Sequence, residues 1–263
     1  MADLPDTLDR PGATLRFQDT GGAGEAVVFT HGAGVDHQMF DAQFAAIRDS
    51  GFRAVSWDLR GHGSSVLNDG ARFRAEDALE DLAALIDHLG LRRPALIGHS
   101  LGGNLVQELI RRDDARADHL IVIGSTWNAG PLTAVERFWL RLAAPSLSMI
   151  PASRLPSLMA TASATTPEGI EYARRCFTQM PKPVFLDVWR ATVELVDPDP
   201  GYRSPVPLTL VRGAADRMGN IATAMPRWAA VEGISERVVP HAGHIAPMDA
   251  PDAVTEMLLT ALR

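Results

Sequence analysis

The sequence is short of cysteine, of lysine and of long apolar runs, and each shortage excludes something. Cys176 is the only cysteine among 263 residues. No intrachain disulfide can form, so the fold does not depend on an oxidising compartment, and a lone cysteine reads as a small apolar filler. Lys182 is the only lysine, and Lys+Arg total 25 against 32 Asp+Glu, a formal net charge of -7. Such a field repels polyanions, and no cluster of arginines makes a phosphate-binding stripe, so nucleic acid and anionic membrane are not expected as partners. The least charged stretch, 142–167, contains only Arg154 as a charge, but Pro145, Pro151 and Pro156 argue against a spanning helix. Residues 1–10 are acidic without an apolar run, unlike a cleaved leader. A cytoplasmic protein is the expectation. His31, His62 and His99 have neither H-x-x-x-H nor carboxylate spacing, so no metal and no cofactor are expected.

What is present is a rhythm. With 46% hydrophobic residues the chain can bury one large core. Residues 26–30, 53–57, 95–99 and 120–124 are short, apolar and rich in β-branched side chains, as buried parallel strands are. Residues 14–19 alternate and read as an edge strand. Helical periodicity fills 38–49, 75–89 and 101–111, and Gly51 and Gly90 stand where a left-handed helix cap favours glycine. The rhythm stops after Gly124 and resumes with strands at 207–212 and 236–239 and a last helix at 252–262. This predicts an α/β fold, a mostly parallel central sheet flanked by helices. The core comprises 1–124 and 206–263, and 125–205 is a mainly helical cap inserted before the strand at 207–212.

The chemistry is concentrated at strand ends. Gly98-His99-Ser100-Leu101-Gly102 is a G-x-S-x-G between a strand and a helix, which puts Ser100 on a sharp turn at a helix N-terminus, where free amides face developing negative charge. His31-Gly32-Ala33-Gly34 follows the strand 26–30 and opens at the same sheet edge. The Ala33 amide can pair with that of Leu101 as an oxyanion hole. A serine hydroxyl needs a base to take its proton, an imidazole suits that task at neutral pH, and a buried carboxylate orients the imidazole.

Together, His31-Gly32, Asp58-Leu59-Arg60-Gly61-His62-Gly63-Ser64-Ser65 and Gly98-His99-Ser100-Leu101-Gly102-Gly103 resemble the α/β-hydrolase superfamily, in its esterase, enol-lactonase and cofactor-free haloperoxidase branches. The resemblance implies an acid after the strand 207–212, matched by Asp216, and a histidine after the last strand, matched by His244, in the chain order Ser, Asp, His. It implies a serine hydrolase acting on a small-molecule carboxylic ester or lactone with apolar groups through an acyl-enzyme. Enol-lactone or C–C bond hydrolysis, perhydrolysis and a slow-turnover ligand receptor remain alternatives on the same fold. Ser100 argues against the epoxide hydrolases and dehalogenases, which carry aspartate there. The oligomeric state stays open, a homodimer included.

His241 reads as structural beside His244, Asp197 and Asp199 as solvated turn residues, and Asp58 and His62 as supports of the site. His37, His88 and His119 read as plain surface residues. In the cap, Trp127, Phe138, Trp139, Leu142, Met149, Met159, Phe177 and Trp189 are candidates for an apolar pocket, with Trp127 the leading one, then Trp189; most pack the cap onto the core. His31, Gly32 and Gly34 are expected along the pocket's other wall. Arg174 and Arg175 are the cations a substrate carboxylate would need, although a solvated helix face suits them better.

Overall fold

The computed structural model describes residues 4–133, 135–136, 142 and 145–263. Among these, nine strands form one sheet: β1 Asp6–Arg10, β2 Ala13–Asp19, β3 Ala26–Thr30, β4 Arg53–Trp57, β5 Val66–Leu67, β6 Ala95–His99, β7 His119–Ile123, β8 Leu208–Gly213 and β9 Arg237–Val239. Their order is β1-β2-β4-β3-β6-β7-β8-β9, with β5 beside β2. β3, β4, β6, β7, β8 and β9 are mutually parallel. β3, β4, β6 and β7 are buried in four of their five residues, as a strand covered on both faces must be.

The helices are α1 Asp41–Asp49, α2 Ala75–His88, α3 Leu101–Arg112, α4 Leu155–Ser163, α5 Pro167–Gln179, α6 Lys182–Glu194, α7 Ile221–Glu232, α8 Ala246–Asp249 and α9 Pro251–Ala261. One apolar cluster joins α2, α3 and α7 to the sheet through Leu82, Leu85, Leu105, Val106 and Trp228. The other joins α1 and α9 through Phe44, Ile47, Val254 and Leu258, and takes in Met159 of α4 and Phe177 of α5. Gly51 and Gly90 lie at φ 93° and 60°, the left-handed caps expected of them.

Two readings need correction. Residues 14–19 are not at the edge: β1 pairs along β2 from Asp6↔Phe17 to Arg10↔Ala13 and covers it. β1 itself (DTLDR) is largely exposed and carries no apolar alternation to announce a strand. Helix α7 went unread because Pro226 stands inside it.

The sheet's direction of winding reverses between β3 and β6, which pair in parallel from Val27↔Ala95 to Thr30↔Gly98. In an open α/β sheet the crevice at the carboxyl ends of such a pair is where ligands bind. The loops carrying Ala33 and Ser100 leave the sheet there. Among the described residues no helix is long and apolar enough to cross a membrane.

Candidate active site

Ser100 sits between β6 and α3 at φ 50°, ψ -117°, a conformation L-residues rarely adopt. Its amide is held by the Ile123 carbonyl at 3.0 Å, and its own carbonyl accepts the Asn104 amide at 3.0 Å and the Ser125 hydroxyl at 2.8 Å. The turn is this tight because α3 starts against the end of β3: a Cβ at Gly102 would stand 2.1 Å from the Thr30 carbonyl oxygen. The hydroxyl is thereby raised above the sheet edge at the N-terminus of a twelve-residue helix.

His244 and Asp216 come from loops after β9 and β8. The His244 Nδ1 lies 3.0 Å from Asp216 Oδ2, and both side chains are buried. The Met218 amide donates to Asp216 Oδ1 at 2.9 Å, so the Arg217-Met218-Gly219 turn fixes the carboxylate. Burial raises the Asp216 pKa, but the facing imidazole and the Met218 amide outweigh it, and the carboxyl stays below its ordinary range.

Three further histidines are buried around this pair. His99 Nε2 lies 2.9 Å from the His244 carbonyl, so Nε2 carries the proton and the ring anchors the His244 backbone. Burial pushes its pKa down to about 3. His31 accepts the Leu59 amide on Nε2 at 2.9 Å and therefore donates from Nδ1 to the Gly32 carbonyl at 2.8 Å. His62, also at about 3 through burial, donates from Nδ1 to the Arg60 carbonyl at 3.1 Å. Asp58 ties these loops together, accepting the His37 amide at 2.8 Å, His37 Nδ1 at 2.9 Å and the Ser64 amide at 2.7 Å. His37 is thus a buried partner and not a plain surface residue, because Asp58 needs its donors. His119, at the start of β7, is half-buried with Nε2 3.0 Å from Thr209 Oγ1, so it too departs from the surface reading. His88 packs edge-on against Phe17.

A cavity partly open to solvent brings Ser100 and His244 together. Ala33 and Val35 of the loop after β3 line it, with Asn104, Thr126, Met218 and Ile245, and Met159, Phe177, Trp189 and Val193 from helices α4–α6. Among the described residues the lining contains no Arg, Lys, Asp or Glu. Leu101 opens α3 beside it and is fully buried.

Not every expected pocket residue is there. Trp127 points away: it stacks on Trp228 at 6.0 Å with the rings 2° apart, and Thr126 takes the cavity side instead. Asn128, bonded to Asn104 and Gln107, holds the chain in that register, and side chains of an extended segment alternate. His31 and Gly32 lie beneath the wall, Gly32 against the His99 ring, and Gly34 faces Phe177. Met149 is exposed, and Phe138 and Trp139 lie outside the described residues. Arg174 pairs with Glu171 at 2.6 Å and Arg175 reaches Gln38 at 2.5 Å, neither toward the cavity. His241 is exposed, its carbonyl accepting the Thr165 hydroxyl at 2.8 Å. Asp197 pairs with Arg111 at 3.0 Å, and Asp199 holds the Gly201 amide in a turn. Thr126, Met218 and Asn104 were not foreseen. Thr126, two residues past Gly124, which follows β7, lies just before the Trp127 that the sequence put forward.

No group of His, Cys, Asp and Glu among the described residues could hold a metal ion. The model of the alpha/beta hydrolase family matches residues 27–257. A non-heme haloperoxidase of Rhodococcus erythropolis is 31% identical over 123 residues, 46% of this chain and 44% of that protein. A 3-oxoadipate enol-lactonase of Acinetobacter baylyi is 34% identical over 96 residues, 36% of this chain and 35% of that one. The chain thus spans less than half the length of the relatives it matches. The fold likeness runs further: an esterase of Thermogutta terrifontis superposes with a TM-score of 0.80 at 28% identity, over 98% of this chain and 96% of that chain.

Proposed function

The chain belongs to the α/β-hydrolase family, and we propose that it is a serine hydrolase cleaving uncharged carboxylic esters or lactones with apolar groups. The observation that carries this reading is His244, 3.0 Å from Asp216, lining the same cavity as a serine on a strained strand-to-helix turn. With Nδ1 committed to Asp216, Nε2 is the ring nitrogen that takes the Ser100 proton. Ser100 Oγ attacks the carbonyl carbon, and the Ala33 and Leu101 amides bind the oxyanion. His244 then protonates the leaving alcohol, and water, deprotonated by the same ring, releases the acid. In this reading residues 125–205 form a cap whose α4–α6 roof the site and sort substrates by shape.

Enol-lactones that carry a carboxylate fit less well, because among the described residues the cavity wall holds no cation and an unpaired buried charge is costly. Perhydrolysis keeps every step except the final nucleophile. The test compares aryl esters of matched length, one series ending in methyl and the other in carboxylate. Neutral esters are expected to have at least about tenfold higher kcat/KM, with turnover lost in Ser100→Ala. Equal or better use of the carboxylate series would overturn the neutral-substrate reading.

A further inference from the structure

We propose that helix α5 is a strut between the two loops of the proposed active site, and that Tyr172 is a positioning residue that aims the Ala33 amide at the oxyanion. The inference rests on the hydrolase reading above and extends it from the core loops to the cap.

The contacts between α5 and the loop after β3 are polar and buried. The Tyr172 hydroxyl lies 3.1 Å from the Asp36 amide nitrogen, 2.9 Å from the Asp36 carbonyl oxygen and 2.9 Å from Asp36 Oδ1. A phenol has one proton, so it donates to one of those oxygens and accepts from the amide. Asp36 also accepts the Gln38 amide at 3.0 Å and lies 3.4 Å from Cys176 Sγ, one turn along α5 from Tyr172. These bonds fix the backbone three residues after Ala33. One residue after Ala33, Gly34 turns at φ +74° and has the Phe177 ring where a Cβ would be, 2.2 Å away. The loop that carries Ala33 is therefore shaped against one face of α5.

The other end of α5 is bound to the loop of His244. Asp249 accepts the Thr165 and Thr166 amides at 3.0 and 2.9 Å and, on its other oxygen, the Gly243 amide at 2.8 Å. The Ile245 amide donates to the Ser163 carbonyl at 2.9 Å. The helix from its cap Thr166 to Phe177, roughly 16 Å, thus links the backbone around His244 to the backbone around Ala33. A lid that swings clear in each turnover would have to break all of these bonds. The geometry instead makes α5 part of the fixed site.

Tyr172 does not line the cavity, so removing its hydroxyl changes no substrate contact. It should loosen the aim of a donor that works only in the transition state. Losing such a donor outright costs about 10² to 10³ in kcat; misaiming it should cost less. For Tyr172→Phe we expect kcat for 4-nitrophenyl butyrate, counted per serine titrated to the endpoint with a phosphonate probe, to fall about tenfold while KM stays within about twofold. Cys176→Ala, which weakens the grip on Asp36 and leaves Tyr172 in place, should show the same split at about threefold and stands in if the first variant does not fold. Unchanged kcat per titrated site in the variants, with any loss confined to melting temperature or to the number of sites, would overturn the inference alone. A wild-type protein without Ser100-dependent turnover would remove both the hydrolase reading and the inference.

Discussion

The sheet edge and helices α4–α6 build one cavity by different means. At the edge, the Ser100 and Asp216 amides are held by the Ile123 and Gly213 carbonyls of the sheet, and the His244 carbonyl is held by His99 at the end of β6. From the helices come Met159, Phe177, Trp189 and Val193, apolar side chains without proton chemistry. In the proposed hydrolase, reaction is thereby concentrated on a few fixed atoms, and selectivity is spread over an apolar surface. Changes at the edge should alter rate, and changes in the helices should alter preference. Tyr172, expected to act on rate from a helical position, is the exception its contacts with Asp36 suggest.

The largest effects are expected at the edge. His244→Ala should lose on the order of a thousandfold or more in kcat, and Asp216→Asn about as much, since an amide permits the wrong imidazole tautomer. His241→Ala, three residues away and exposed, should stay within about twofold in the same ester assay. A reversed order of the two histidine variants would show that the wrong loop residue had been assigned.

Next come the two tryptophans, which separate the regions directly. Trp189→Ala should shift acyl chain-length preference by about tenfold, because it enlarges the cavity. Trp127→Ala should leave that preference unchanged and cost about 3–5 kcal/mol of stability, since it removes a buried ring stacked on Trp228. A changed chain-length profile in Trp127→Ala would contradict its placement behind the wall.

The smallest effect concerns acid. His62 and His99 are buried neutral, with pKa about 3 in the fold against an ordinary 6.5. Between those values the unfolded chain binds protons that the folded one does not. Stability should therefore fall as pH drops from about 6.5 toward 3. The melting temperature should decline over this interval, and less steeply in His62→Gln. A flat melting profile between pH 7 and 4.5 would mean that these rings are hydrated or protonated in the fold.

How much of this was legible follows from where each signal lies. Ser100 is legible because a strand-to-helix turn against a neighbouring strand admits few residues, Gly102 above all. The interior strands are legible because burial on both faces makes them continuously apolar. β1 is not, since an exposed edge strand is specified by its partner's register and not by its own side chains. Trp127 was misplaced because the alternation past β7 depends on Asn128, and its bonds to Asn104 and Gln107 join residues over twenty apart. The Asp36–Tyr172 contact, 136 residues apart, leaves no trace at short range.

The central claim is that Ser100 is a nucleophile activated by His244. It is tested most directly by exposing wild type, Ser100→Ala and His244→Ala to a fluorophosphonate and sequencing the labelled peptide by mass spectrometry. The expected result is a single adduct on Ser100 in wild type, none in Ser100→Ala, and labelling slowed by on the order of a hundredfold or more in His244→Ala. Labelling that persists in Ser100→Ala, or that proceeds at the wild-type rate without His244, would contradict it.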